Sequence, residues 1–281
     1  MFNQIKKAIL QFKQQYGFDD YKADKALITA PFGQKYLEEC IMHLKSSKAI
    51  MHLAETEKIL VLIVTSEDIK VNNCPKEFGI IQIGEITNWP HGDRYRNRFI
   101  KWAVPFLFKN IKSSIYIDSD LIITNQTKRL LHVFDIIEQY NFFVTAHVMR
   151  RGWMDEFNAI LNWPDKIDFE KLQKQKILFQ SLGIPKLGPV FINKIVGRIH
   201  GSKYDLLSQG ILDHLFEYNT RDQLALIYAM YTHKMIPFSL PEGEILFTSH
   251  VLSLNQDTLC FYDSMSQVAF KYLWQRPFQT Y

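Results

Sequence analysis

The sequence predicts a single α/β domain with a Rossmann-like, mostly parallel sheet flanked by helices, and three observations predict it. Apolar runs of strand length alternate with stretches of helical periodicity through the first half of the chain. The run 59–64 (ILVLIV) is apolar on both faces, as a strand covered on both sides of a sheet must be. The chain has 281 residues, 47% of them hydrophobic and 22% charged, and carries no Gly/Ser/Pro linker, so one continuous core is the economical arrangement.

Taken in order, Phe2, Ile5, Ile9 and Phe12 recur at helical spacing, with Lys6, Lys7 and Lys13 on other faces, so residues 1–24 read as an N-terminal helical extension to a domain spanning 25–281. Residues 25–30 (KALITA) form a short buried strand stopped by Pro31 and Gly33. Residues 36–54 are expected to be one helix, and 59–64 and 79–83 the next two strands. A basic amphipathic helix over 97–108 leads into strand 114–117, followed by helix 128–139 and strand 142–146. The second half is more helical, with helices near 153–161, 168–182, 204–218 and 221–231 and strands near 189–193 and 244–247.

Composition narrows the function. A net charge of +4 is too small to argue for nucleic acid but suits an anionic small substrate. Cys40, Cys74 and Cys260 are far apart and odd in number, which disfavours a disulfide framework or a zinc site and points to a reducing compartment. No run reaches the eighteen or so apolar residues that span a bilayer, and the first residues lack the form of a signal peptide. The expectation is a cytoplasmic protein, with peripheral contact at the inner membrane as an option for the first helix.

The chemistry is concentrated at 114–125 (SIYIDSDLIITN). Asp118 and Asp120 lie just past the carboxyl end of an apolar strand, the edge at which open α/β sheets bind ligands. Acidic groups between apolar runs are costly without a cation or hydrogen bonds. Carboxylate oxygens suit Mn²⁺ or Mg²⁺, and such an ion stabilises a departing diphosphate as a Lewis acid. In the preceding helix, Arg98 and Lys101 are three apart on one face and could meet phosphate or sugar, Arg as a fork and Lys as a point charge.

Residues 115–124 resemble the metal-binding strand of the GT-A glycosyltransferases, among them the glycogenin and lipopolysaccharide-galactosyltransferase relatives. Four stretches resemble a narrower group, the TOD/MUCI-like glycosyltransferase domain: 28–33 (ITAPFG), 96–101 (RNRFIK), the D-x-D strand, and 221–224 (RDQL), the last preceded by Asn193, Arg198 and His200. They fall in the family's order over roughly residues 25–250. The arginine spacing in 96–101 is one residue shorter than the family's, and the family's plant members often lack a strict D-x-D, so donor identity does not carry over.

The resemblance implies a metal-dependent glycosyltransferase that moves a sugar from a nucleotide-sugar donor, UDP-linked by expectation, to a hydroxyl of a glycan or lipid-linked acceptor. It implies a metal site of Asp118, Asp120 and the late His250, with Asp120 the direct ligand and Asp118 also near the donor together with Ser119; His200 and His233 stand in reserve for His250. Thr29, Ala30 and Phe32 would meet the nucleotide base, and Arg96, Arg98 and Lys101 the phosphate or sugar. Asp222 and Gln223 would be catalytic: Asp222 as base or acceptor anchor in an inverting reaction, or either residue supporting the sugar face in a retaining one. The rivals are a binding protein of the same fold without turnover and a metal-dependent phosphohydrolase.

Overall fold

The computed structural model describes residues 2–86, 89, 92–123, 127–147, 150–162, 168–218, 221–240 and 246–248. Alternation along the strands dictates the layering. In β1 (Ala23–Thr29), Ala26 and Ile28 enter one apolar cluster while Leu27 enters the other; in β2 (Leu60–Ser66), Leu62 and Val64 divide from Val61 and Ile63 in the same way. A strand that buries both parities needs helices on both faces. One face is covered by α2 (Gln34–Ser46), α3 (Lys48–Glu55) and α5 (Thr127–Tyr140). The other is covered by α1 (Phe2–Tyr16), α4 (Asp93–Leu107), α6 (Trp153–Leu161), α7 (Phe169–Ser181), α8 (Asp205–Tyr218) and α9 (Asp222–His233).

With β3 (Phe78–Ile83), β4 (Ile111–Ile117), β6 (Phe142–Ala146), β7 (Phe191–Ile199) and β8 (Phe238–Leu240), the seven-stranded sheet has the order β3-β2-β1-β4-β7-β6-β8. The first four strands are parallel neighbours. β7 then inserts antiparallel between β4 and β6, so β6, the next long strand in sequence, is not the neighbour of β4. β5 (Leu121–Ile123) leaves the large sheet and pairs antiparallel with β9 (Leu246–Thr248). The expected fold class is therefore observed, with local differences.

The single helix expected over 36–54 is two. Ser47 breaks it, with extended backbone and a hydroxyl that accepts from the Ile50 amide as the cap of α3. The strand expected over 189–193 runs on to Ile199, where Gly197 lets the Phe143 ring pack over it; a Cβ there would lie 2.0 Å from that ring. β8 carries too short an apolar signal to be read from sequence. The apolar stripe of α1 is used inside the protein, with Ile5, Ala8, Ile9 and Phe12 buried, so this helix does not offer that face to a membrane. Among the described residues no helix is long and apolar enough to cross one.

One buried histidine, His214, and two half-buried ones, His200 and His147, give the fold an acid limit. Burial pushes His214 down to about 3, His200 to about 4 and His147 to about 4, so the native state holds them neutral. The unfolded chain binds protons near pH 6.5, where the folded one does not. Stability from these residues is complete above that pH and is lost as pH falls toward the folded values. Urea midpoints measured at pH 7.5 and 5.0 should show the loss, and His214→Gln should flatten it.

Candidate active site

Parity along β4 aims the first acidic residue. Tyr116 faces the cluster containing α4, whereas Ile115 and Ile117 face the opposite cluster; Asp118 continues the Tyr116 parity. Its amide donates to the Lys194 carbonyl of β7 at 2.8 Å, and its carbonyl accepts from the Leu121 amide at 3.3 Å. These bonds fix the Asp118–Ser119–Asp120 turn between β4 and β5, with Ser119 half-buried in it.

The parity delivers Asp118 to Lys101 of α4, whose Nζ lies 2.9 Å from Asp118 Oδ1 and 3.5 Å from Oδ2 of Asp222, the first residue of α9. The Trp102 indole N–H donates to the same Asp222 oxygen at 3.3 Å. Three elements distant in sequence thus meet at one ammonium that is only 4% exposed. Burial disfavours the charge on Lys101, yet Asp118 and Asp222 outweigh it and raise its pKa. Burial likewise opposes charge on Asp222, but Lys101, Arg98, Arg221 and the indole N–H hold its pKa below the usual carboxylate range. Asp118 goes the other way: burial raises it, Lys101 offsets this only in part, and the carboxylates of Asp222 and Asp120 raise it further.

Arg94, Arg98 and Lys101 recur at i, i+4 and i+7 and form one stripe of α4. Burial lowers the Arg98 guanidinium to about 10, Asp222 opposing and Arg94 and Arg221 adding to the shift. Arg96 is turned elsewhere. It pairs with Asp93 at 2.5 Å and Glu85 at 3.8 Å and lies over the Phe32 ring at 5.0 Å, so the structure does not bring it to the acidic turn. Thr29 ends β1 beside Ile117, at the same sheet edge as Asp118. Thr29, Ala30 and Phe32 are all buried; the Ala30 carbonyl accepts from Asn97, and the Thr29 hydroxyl accepts a long contact from the Cys40 thiol.

In the RDQL stretch each polar residue has a separate task. Arg221 reaches wholly buried Glu156 of α6 at 3.2 Å and the Gln223 side-chain oxygen at 3.2 Å. Gln223 donates to the Ile192 carbonyl at 3.3 Å, which ties the first turn of α9 to β7. Asp222 alone faces Lys101. Beside Ile192, the sequence names Asn193 only as a neighbour of the RDQL stretch and assigns it no role. This residue sits in β7 with φ 58° and no exposed surface, and among the described residues neither amide atom has a hydrogen-bond partner. A buried amide left unsatisfied costs about 1–3 kcal/mol per group. A non-glycine residue with left-handed backbone inside a strand is a local signal of function that composition and spacing do not carry.

Asp120 is half-exposed and bonded to the Lys194 ammonium at 2.6 Å. Among the described residues no three metal-ligating side chains cluster. His250, the expected third ligand, lies outside the described residues. The reserve histidines do not replace it. His200 is at the opposite edge of the sheet, where β7 ends beside the start of β4, with its ring between Ser114 and the Phe108 carbonyl. His233 closes α9, eleven residues and about 16 Å along the helix from Asp222.

The geometry is therefore a cation-bridged pair of carboxylates at the carboxyl edge of a parallel sheet, with a third carboxylate, Asp120, open to solvent. Among solved structures, the chain is similar to the galactosyltransferase LgtC in complex with donor and acceptor sugar analogs (10% identity, TM-score 0.43, 73% of this chain and 70% of that one). It is also similar to core-mannan synthase A (CmsA/Ktr4) from Aspergillus fumigatus in its Mn/GDP form (11%, 0.42, 74% and 70%) and to mouse xyloside xylosyltransferase 1 (14%, 0.42, 89% and 93%). No curated protein matches it. The profile of the TOD1/MUCI70, glycosyltransferase-like domain matches residues 42–241, which include Lys101 of α4, the Asp118–Ser119–Asp120 turn, β7 and the start of α9, but not Thr29, Ala30 and Phe32. The chain belongs to the TOD1/MUCI70 glycosyltransferase-like domain family, and so to the glycosyltransferases.

Proposed function

We propose that this glycosyltransferase takes its sugar from a nucleotide-sugar donor, UDP-linked, and passes it to a hydroxyl of a glycan or lipid-linked acceptor, using Mn²⁺ or Mg²⁺ held by Asp118, Asp120 and His250. The observation that carries the reading is the meeting of Asp118, Lys101 and Asp222 at one point beside the exposed Asp120. The acidic turn fits a hard cation: its donors are carboxylate oxygens, and burial, the main cause of the raised Asp118 pKa, makes its negative charge costly in a way that a bound cation would offset. A bound ion supplies Lewis-acid stabilisation of the diphosphate leaving group.

The chain's own residues account for the rest. Lys101 is held as a cation and places positive charge beside the leaving group's binding edge. Asp222 is held as an anion by Lys101, Arg98, Arg221 and the Trp102 N–H. A carboxylate with a depressed pKa is a poor proton acceptor and a good fixed counter-charge, so its role is electrostatic support for the positive charge that develops on the sugar. Asn193 offers a buried donor and acceptor that sugar hydroxyls would satisfy. Acceptors presented at the inner membrane and a cytoplasmic location belong to the same proposal.

Asn193→Gly keeps the left-handed backbone and removes the amide. It is expected to lower kcat/KM by about ten- to a hundred-fold with no loss of stability, checked by initial rates and thermal melts. The reading as a whole is tested by thermal shifts with UDP-, GDP- and CMP-sugars, each with and without Mn²⁺. Binding to the folded state raises its stability in proportion to affinity, so one base should stand out and should require the ion. A folded protein indifferent to every donor would remove the proposal.

A further inference from the structure

Two lysines stand on the two acidic residues of the turn, and they are held differently. Lys101 is 4% exposed, is fixed in the middle of α4, and shares its ammonium between Asp118 and Asp222. The Lys194 side chain is 31% exposed, and among the described residues its Nζ pairs with the half-exposed Asp120 carboxylate at 2.6 Å. Its backbone is fixed all the same. The Lys194 carbonyl accepts from the Asp118 amide, and the left-handed Asn193 directly before it sets the direction of the chain. The root of the side chain is therefore rigid, and its tip is free to exchange.

We propose that Lys194 is a tethered cation that occupies Asp120 until a divalent ion replaces it, so that this residue sets the metal affinity of the empty enzyme and couples metal binding to donor binding. The proposal rests on the metal-dependent reading above. A carboxylate cannot give its oxygens fully to both an ammonium at 2.6 Å and a divalent ion, and the two positive charges repel at that range. The ion must therefore displace the ammonium, at a cost equal to the strength of the pair. The displaced Lys194 remains beside the turn, where a diphosphate offers it a new anionic partner. Donor should therefore tighten metal binding, and by linkage metal should tighten donor binding equally.

Mn²⁺ affinity is measured by calorimetry or by the electron paramagnetic resonance of free ion, on the full chain, with and without UDP. The expected result is that Lys194→Met binds Mn²⁺ about two- to five-fold more tightly than wild type without UDP, the range of a partly exposed ion pair. The gain that UDP confers should shrink in the same variant, while Lys194→Arg, which keeps the charge, should stay close to wild type. Thermal melts confirm that the variants fold, which the exposure of the side chain favours. Equal or weaker Mn²⁺ binding by Lys194→Met, with binding still lost in Asp120→Asn, overturns the proposal and leaves the metal site standing. No Mn²⁺ binding by either wild type or Lys194→Met, with or without UDP, overturns both.

Discussion

Lys101→Met is expected to destabilise the protein by about 3–5 kcal/mol at neutral pH, the usual cost of stranding buried charge after one partner is removed. Methionine fills most of the lysine's volume, so the loss is electrostatic rather than a cavity. Asp118 and Asp222 would then share one site without the ammonium that now lies 2.9 and 3.5 Å from them. The pH dependence follows from the sign of the shift. Without the cation both folded-state pKa values rise: that of Asp118, already raised by burial, rises further, and that of Asp222 loses the largest of the charges that lower it. Their protonated forms are tolerated at low pH, and stability is lost as pH rises through the folded values. Denaturant midpoints for wild type and variant should therefore converge near pH 4.5 and separate toward pH 7.5. Lys101→Met/Asp222→Asn should recover part of the loss, and the double-mutant cycle isolates the pair. A variant as stable as wild type across this range would contradict the buried bridge. Transfer should also fall under the proposed function, which puts the leaving group beside this ammonium.

Asp120→Ala should act in the opposite manner: nearly silent in stability and severe in catalysis. The side chain is half-exposed and its pair with Lys194 is of the partly solvated kind, worth about 1 kcal/mol or less. The melting temperature should move by no more than about 4 °C, a shift within reach of such a change in a chain of this size. kcat/KM should fall by about a thousand-fold or more, since a metal's charge stabilisation of the transition state is worth several kcal/mol. Initial rates of nucleotide release provide the measurement. The same variant separates the enzyme from a binding protein of the same fold, in which the wild type itself binds donor and turns nothing over.

The fold class was legible because strands apolar on both faces permit few alternatives: 59–64 and 25–30 could only be central strands between helical layers. The antiparallel insertion of β7 between β4 and β6 was not legible, because pairing partners are set by tertiary packing and leave no mark on a strand's own pattern. The same division holds at the site. Asp118 and Asp120 were singled out by position at a strand end, and Asp222 by the resemblance of 221–224. Lys101 was found by helical spacing, though its contact with Asp222, 121 residues away, was not. Arg96 shows the converse: a basic residue in the right helix, turned by the 100° step per residue toward Asp93, Glu85 and Phe32. Asn193 and Lys194 were not singled out for roles because nothing in the string FINKIV shows a left-handed residue or a lysine folded back on a distant aspartate. His200 illustrates how register overrules proximity in sequence to a motif, since antiparallel pairing places it at the far edge of the sheet.

The proposal that the acidic turn at the end of β4 serves nucleotide-sugar turnover is tested by the rate of nucleotide release from UDP-, GDP- and CMP-sugars by the folded wild type, in Mn²⁺ and after chelation, beside Asp120→Ala. The expected result is release from one donor class, strongest in Mn²⁺ and lost both on chelation and in the variant. Release that is indifferent to Mn²⁺ and to Asp120, or no release from any donor by a folded wild type, would contradict it.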